Sequence, residues 1–245
     1  MKKLFLYGFV LMLCLMVSCK KDAQKKKVYL LQQQIIDYSS ANNPVDTINY
    51  AYDDQNHIIK ISEATGQSRG SFNVSYDAEG RVSVGRKVNN AGTVVSQYTF
   101  HYTADSILYY FTGIGEVPDT GVMTFNSKKQ LIRIQTRHDG YRLFTYDAKG
   151  NIYTSVAYKQ DGTNNLLDNN NYIYDDQKNP FSDMPPNNYF FMYIAGIDVS
   201  TLINNIKIKN GDTHSYTYNS DGFPVKGNID IGSNVFPVSY NYILK

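Results

Sequence analysis

Apolar and polar residues alternate along most of this chain, and the alternation is broken at regular intervals by an aromatic residue followed by a turn. The clearest instance is LFTYDAKGNI at residues 143–152. Phe144 and Tyr146 alternate with Leu143 and Thr145, the two-residue period of a strand with unlike faces. Asp147 opens a turn, because its carboxylate accepts hydrogen bonds from amides just downstream. Gly150 stands where a type I turn followed by a bulge needs positive φ, and Ile152 restarts the alternation. The segment predicts a β-hairpin.

Six other segments align on the same aromatic position, with anchors at Tyr52, Tyr76, Tyr102, Phe125, Tyr174 and Tyr218. Neighbouring anchors lie 21 to 28 residues apart, with one longer gap of 44 before the last. A period in the low twenties holds two strands and two turns. Seven or eight hairpins amount to roughly 14 to 16 strands, and an open sheet rarely exceeds ~10 before it curls, splits or closes. The prediction is an all-β fold: an antiparallel meander of about seven hairpins rolled into a barrel-like or strongly curved sheet.

The faces differ in chemistry. Tyr98, Phe100 and Tyr102 share one side of their strand, against Gln97, Thr99 and His101. Phe72, Val74 and Tyr76 oppose Asn73 and Ser75, and Ile152, Val156 and Tyr158 oppose Tyr153, Ser155 and Ala157. That is an antiparallel sheet covered on one side. Strands of an integral membrane barrel need about 9–11 residues, and the period leaves roughly 7–9. Residues 185–204 break the pattern: Phe190, Tyr193 and Ile197 fall on a helical stripe after Pro185 and Pro186, and 198–204 can form a second helical turn. A cap over an open end of the core is the expected role, with a lid or partner-binding element as the alternative. Copies without the turn glycine, at Asn56, Ser106 and Lys129, are expected to have altered turns.

The N-terminus adds an address. Lys2 and Lys3 precede an apolar run over residues 4–17, the layout of an export signal. LMVSC at residues 15–19 resembles the lipobox of bacterial lipoproteins, which implies cleavage after Ser18 and a lipid on Cys19. Residues 19–27 then form a lysine-rich tether, and a single domain spans 28–245. The mature chain keeps Cys19 alone, so no disulfide is expected. The charge of +2 belongs to the leader and tether; the remainder carries 17 basic and 21 acidic residues, which implies no nucleic-acid surface.

Candidate chemistry is sparse. GQSRG at residues 66–70 matches a nucleophile-elbow pattern, but that motif needs a parallel strand leading into a helix. His57, His101, His138 and His214 have no metal-ligand spacing, and the Asp53–Asp54 and Asp175–Asp176 pairs sit where turns need aspartate. DTI at 46–48 and DSI at 105–107 resemble O-glycosylation sites of Bacteroidetes. Among 22 tyrosines and no tryptophan, Tyr109, Tyr110, Tyr141 and Tyr153 are candidates to stack on a sugar or peptide.

YDAEGRV and YDAKGNI resemble the YD units of Rhs-type repeat proteins. The order of lipobox, YD hairpins, DDQKNPF, NNIKI and YTYNSDGFPV resembles uncharacterised Bacteroidetes lipoproteins. That resemblance implies a porin-like all-β fold, an outer-membrane location and no known activity. The expectation is a non-enzymatic lipoprotein scaffold without cofactor or metal, binding a glycan, peptide or partner. A purely structural or assembly factor is the alternative, and a hydrolase a third.

Overall fold

The computed structural model describes residues 27–41, 44–63, 70–138, 140–185, 191 and 203–245. Sixteen strands follow in chain order: β1 (Tyr29–Ile36), β2 (Asp46–Tyr52), β3 (Ile58–Glu63), β4 (Gly70–Tyr76), β5 (Val82–Asn89), β6 (Val94–Tyr102), β7 (Ser106–Gly113) and β8 (Asp119–Phe125). Then come β9 (Leu131–Thr136), β10 (Gly140–Tyr146), β11 (Ile152–Tyr158), β12 (Asn170–Lys178), β13 (Asn204–Lys209), β14 (Asp212–Tyr218), β15 (Pro224–Ile231) and β16 (Asn234–Leu244). Each pairs with its chain neighbours, and β1 pairs antiparallel with β16, so the sheet closes into a barrel. Closure removes every free sheet edge.

The count of about seven hairpins needs correcting to eight units. Seven run through the chain, and the eighth is assembled from its two ends. Tyr242 of β16 stands opposite Leu31 of β1, with a bulge between Leu31 and Gln33. This is the geometry of Tyr52 opposite Ile58 and of Tyr76 opposite Val82. Periodicity did not reveal it because no turn follows Tyr242.

The anchor tyrosine has a specific task. A bulge sets two residues of one strand against one of the other and disrupts the ladder there. At each simple bulge, the first residue of the rising strand offers its carbonyl to the tyrosine hydroxyl of the next unit. Tyr76 donates to Ile58 at 2.6 Å, Tyr102 to Val82 at 2.8 Å, Tyr146 to Leu131 at 2.7 Å and Tyr174 to Ile152 at 2.6 Å. Tyr242 donates to Pro224 at 2.8 Å, and Tyr52 to Leu31 at 2.7 Å, which carries the series across the closure. The β6–β7 hairpin has no bulge, and the unit after it carries Phe125, which has no hydroxyl. Where the carbonyl stays in the ladder, the donor is missing too.

The turns complete the unit. Asp53, Asp77 and Asp147 each accept two downstream amides at Oδ1, as in Lys149 N and Asn151 N to Asp147 at 2.9 Å. The residue closing the turn covers the next tyrosine ring: His57 stacks on Tyr76 at 4.6 Å, and the Arg81 guanidinium sits 4.6 Å over Tyr102. Asn56 and Lys129 adopt positive φ (67° and 62°) in the glycine's place, so those turns keep their form. Only the turn before Ser106 is altered, closing directly from Thr103 N to Ser106 O.

The apolar face points into the barrel, where Tyr50, Phe72, Phe100, Met123, Phe144 and Val238 belong to one core. Inward glycines make room for rings; a Cβ on Gly121 would lie 2.1 Å from Tyr109 Cζ. One face assignment reverses. The bulge between Thr145 and Tyr146 changes the parity of β11, so Ser155 and Ala157 are buried while Val156 and Tyr158 face outward with Leu143 and Tyr141. Pure alternation cannot see a bulge.

Most of the predicted helical insertion lies outside the described residues. Of its bounds, Asn204 is corrected to the first residue of β13. Among the described residues, helix is confined to short 3-10 turns at Ser39–Ala41 and Leu166–Asp168 and to Phe191. Phe181, Met184 and Phe191 are buried in the core. Phe181 meets Tyr50 of β2 edge-on at 5.4 Å, and Phe191 stacks parallel to Phe72 of β4 at 6.3 Å. Since β4 lies eight strands from β12 either way round the ring, the segment between β12 and β13 reaches across the lumen.

Candidate functional site

The barrel has two unlike ends. One carries the aspartate turns, the start of β1 and the end of β16 (Val28 N donates to Lys245 O at 3.0 Å), and the connection after β12 that supplies Phe181, Met184 and Phe191 to the core. The other carries the alternate connections, from two residues at 210–211 to eleven at 159–169. Around this loop end stand exposed aliphatic side chains, including Ile114 (69%), Val117 (73%), Leu166 (76%) and Leu167 (96%).

The outer wall is mostly neutral and polar. Thr213, Ser215 and Thr217 of β14 are exposed, and Ser71, Asn73 and Ser75 of β4 lie opposite the buried Phe72 and Val74. A bilayer barrel has the reverse arrangement, an apolar outer band about 25 Å tall around a polar interior. Apolar outward residues gather on β7 to β12, where Leu108, Tyr110, Val122, Tyr153 and Ile173 are 36–57% exposed. No helix among the described residues is long and apolar enough to cross a membrane.

Ionisable groups inside the barrel gather toward the loop end. Asp46 of β2 pairs with the buried Ile36, Glu63 of β3 with Ile48, and Lys87 of β5 with the buried Phe72. Arg142 of β10 shares the register of the buried Ile134; its Nη1 donates to Ser155 Oγ at 2.7 Å and Asp168 O at 2.6 Å. Burial, then the Asp46 charge, push the Glu63 carboxyl above its ordinary range, and Lys87 opposes them. Sixteen strands enclose more space than inward side chains fill unaided. Phe181, Met184 and Phe191 belong to the core, and Phe191 stacks on Phe72, the register partner of Lys87, so this segment reaches the level of the inward-facing ionisable groups.

The turn end has a groove of about 530 Å³ between the 126–130 and 147–151 turns. Two of its polar groups serve the turns: Asn126 Oδ1 accepts from Lys128 N and Gln130 N, and Asp147 holds its own turn. In Asp53, Asp77 and Asp147 burial pulls the carboxyl upward, but hydrogen bonds from His57, Arg81 and Asn151 outweigh it and hold each below its ordinary value.

The residues singled out in the sequence do not converge. His57 serves a turn, with Nδ1 3.0 Å from Asp53 Oδ2. His101 faces outward beside Leu108, His138 Nε2 lies 3.9 Å from Asp119, and His214 faces inward opposite Ile229. Among the described residues, no three His, Cys, Asp or Glu side chains form a metal-holding group. Of GQSRG only Gly70 is described; it opens β4, paired antiparallel with β3. Asp175 closes an internal network, accepting from Tyr218 Oη and from Asn205 N at 3.2 Å. Tyr110 and Tyr153 are exposed on the outer wall and Tyr141 stacks on Tyr158 at 4.8 Å, but Tyr109 is corrected to a core residue, 8% exposed. Cys19, with the signal segment and most of the tether, lies outside the described residues. The mouth residues Asp46, Glu63 and Lys87 escaped sequence reasoning as a site. Each is one charged position on an otherwise apolar face, and that local break was the available signal.

The molecule is thus a closed antiparallel barrel of eight hairpin units, apolar within and largely polar without. Solved structures with related architecture include two porin-like proteins. One, from Bacteroides uniformis, is 14% identical, with 89% of this chain and 97% of that chain covered and a TM-score of 0.49. The other, from Bacteroides vulgatus, is 11% identical, with 88% and 99% covered and a TM-score of 0.39. No family model matches the chain, and no curated protein matches it.

Proposed function

We propose that this is a lipid-anchored cell-envelope protein whose barrel binds a ligand in its loop-end mouth without transforming it. One observation carries the reading: an otherwise apolar interior has inward-facing Asp46, Glu63, Lys87 and Arg142 gathered at its loop end. Barrel mouths are common ligand sites, with mostly apolar walls and a few placed polar groups. The polar outer wall supports a strand region that stands in water, held to a bilayer by the lipid on Cys19. Val28 leaves the barrel at the turn end, so that anchor holds the mouth away from the membrane. The YD features serve the barrel itself and leave the ligand role to the mouth.

The strands begin at Tyr29 and end at Leu244, so a chain starting at Val28 contains the whole barrel. Such a chain is expected to be soluble and monomeric in detergent-free buffer, and a requirement for detergent would overturn the water-exposed wall. In the full chain, Cys19→Ala should abolish incorporation of labelled palmitate. Native mass spectrometry of protein recovered from its own envelope should show a bound small molecule. Ser96→Trp, which places an indole inside the mouth opposite Lys87, should lose it.

A further inference from the structure

We infer that the mouth binds a primary amine in its ammonium form, held between Asp46, Glu63 and the Tyr50 hydroxyl. The inference rests on the mouth being the ligand site and names the chemistry of what enters it. Asp46, Ile48 and Tyr50 share the inward face of β2, and Glu63 stands across the ladder from Ile48. Tyr50 is 3% exposed, yet its hydroxyl has no hydrogen-bond partner among the described residues. Asp46 Oδ1, on the same strand face, is enclosed and unpartnered as well. Buried polar groups normally find partners, so two orphans on one face point to something that completes them.

The electrostatics define the missing partner. Burial pushes the Tyr50 phenol upward first, and the nearby Tyr52, Tyr240, Asp46 and Glu63 add to it, so both carboxylates lie within electrostatic reach of that hydroxyl. Two carboxylates side by side disfavour each other's ionisation, and a cation between them relieves this. Lys87 faces Glu63 from β5 but is itself exposed, so the pair is only partly neutralised. The orphaned atoms are the Asp46 oxygen, an acceptor, and the Tyr50 hydroxyl, whose oxygen can accept while its proton turns toward a carboxylate; Glu63 adds a second negative charge nearby. An ammonium offers three donors and no acceptor. A neutral alcohol brings one donor and no charge. Calcium takes 6–8 oxygen ligands and magnesium near-ideal octahedral geometry, more than this set supplies. The aliphatic rim, with Ile114, Val117, Leu166 and Leu167 exposed at the same end, suits an amine carrying an apolar group.

Calorimetric titration of the purified chain with hexylammonium and with 1-hexanol tests this. Saturable binding of hexylammonium is expected, with hexanol at least about tenfold weaker, as loss of a charge-assisted hydrogen bond implies. Asp46→Asn should weaken hexylammonium by at least about tenfold. Tyr50→Phe should weaken it less while leaving the ligand-free thermal midpoint unchanged or raised, because that change also removes an orphaned hydroxyl. Equal binding of the alcohol, no saturation in the millimolar range, or an Asp46→Asn variant that binds like the parent would overturn the inference. A failed titration alongside an envelope-derived adduct that Ser96→Trp removes would sink the ammonium alone; absence of both would sink the mouth as a ligand site.

Discussion

Replacing Tyr102 by phenylalanine isolates one latch between units. The hydroxyl donates to Val82 O at 2.8 Å, and burial pushes the phenol above its ordinary range, so it remains a donor at any working pH. The ring stays in Tyr102→Phe, and with it the core packing and the Arg81 guanidinium above it. What is lost is one hydrogen bond, and with it the side-chain donor that reaches the Val82 carbonyl at its bulge. A neutral hydrogen bond contributes about 0.5–1.5 kcal/mol and an orphaned carbonyl raises the loss, so the variant should be less stable by about 1–2 kcal/mol. For a domain of this size that is roughly 2–8 °C in thermal midpoint. Urea unfolding followed by circular dichroism would measure it, with a shifted midpoint and an unchanged slope. The control is Phe125→Tyr, which adds a hydroxyl where the preceding hairpin has no bulge. It should give no gain. A Tyr102→Phe midpoint equal to the parent, or a Phe125→Tyr gain matching the Tyr102→Phe loss, would refute the link between bulge and latch.

Two further outcomes follow from the same geometry. Gly121→Ala places a Cβ 2.1 Å from the Tyr109 ring and should destabilise by about 1–3 kcal/mol in the same urea assay; Gly92→Ala, with open space but φ of 79°, should show only backbone strain of ~1 kcal/mol. The turn aspartates set the acid limit. Asp53, Asp77 and Asp147 have folded values below their unfolded ones, so their stabilisation is complete above about pH 4 and lost as pH falls through the folded values. Glu63, raised in the fold, acts in the opposite sense and favours the folded state as it takes up a proton. Thermal midpoints should therefore hold or rise on mild acidification and fall below about pH 4, and Asp77→Asn should flatten part of that fall. A midpoint insensitive to Asp77→Asn between pH 4 and 2 would contradict the assignment.

Local information was sufficient for the hairpin unit. An aromatic residue, an aspartate and a residue tolerating positive φ specify strand, turn and bulge within about ten positions, and each instance can be read alone. That is why the all-β class, the inward face of Phe72, Phe100 and Phe144, and the roles of Asp53 and Asp147 were legible from residue order. Whatever depends on parity or on distant partners was not. The bulge beside Tyr146 turned Ser155 inward and Tyr158 outward, and a single extra residue in a ladder leaves no mark on composition.

Ring closure lay further out of reach. Leu31 and Tyr242 are at opposite ends of the chain, and only the accumulated twist and tilt of fifteen other pairings brings them opposite each other. The same accumulation carries Phe191 across to Phe72 and sets Asp46, Tyr50 and Glu63 on one inward face. Residue order by itself determined the repeated ribbon, its two chemically distinct faces and the alignment that pairs each strand with the next. Tertiary structure alone decided that the ribbon closes, where Phe181 and Phe191 pack inside it and which unpaired polar groups share a face, because those outcomes come from long-range geometry summed over all sixteen strands.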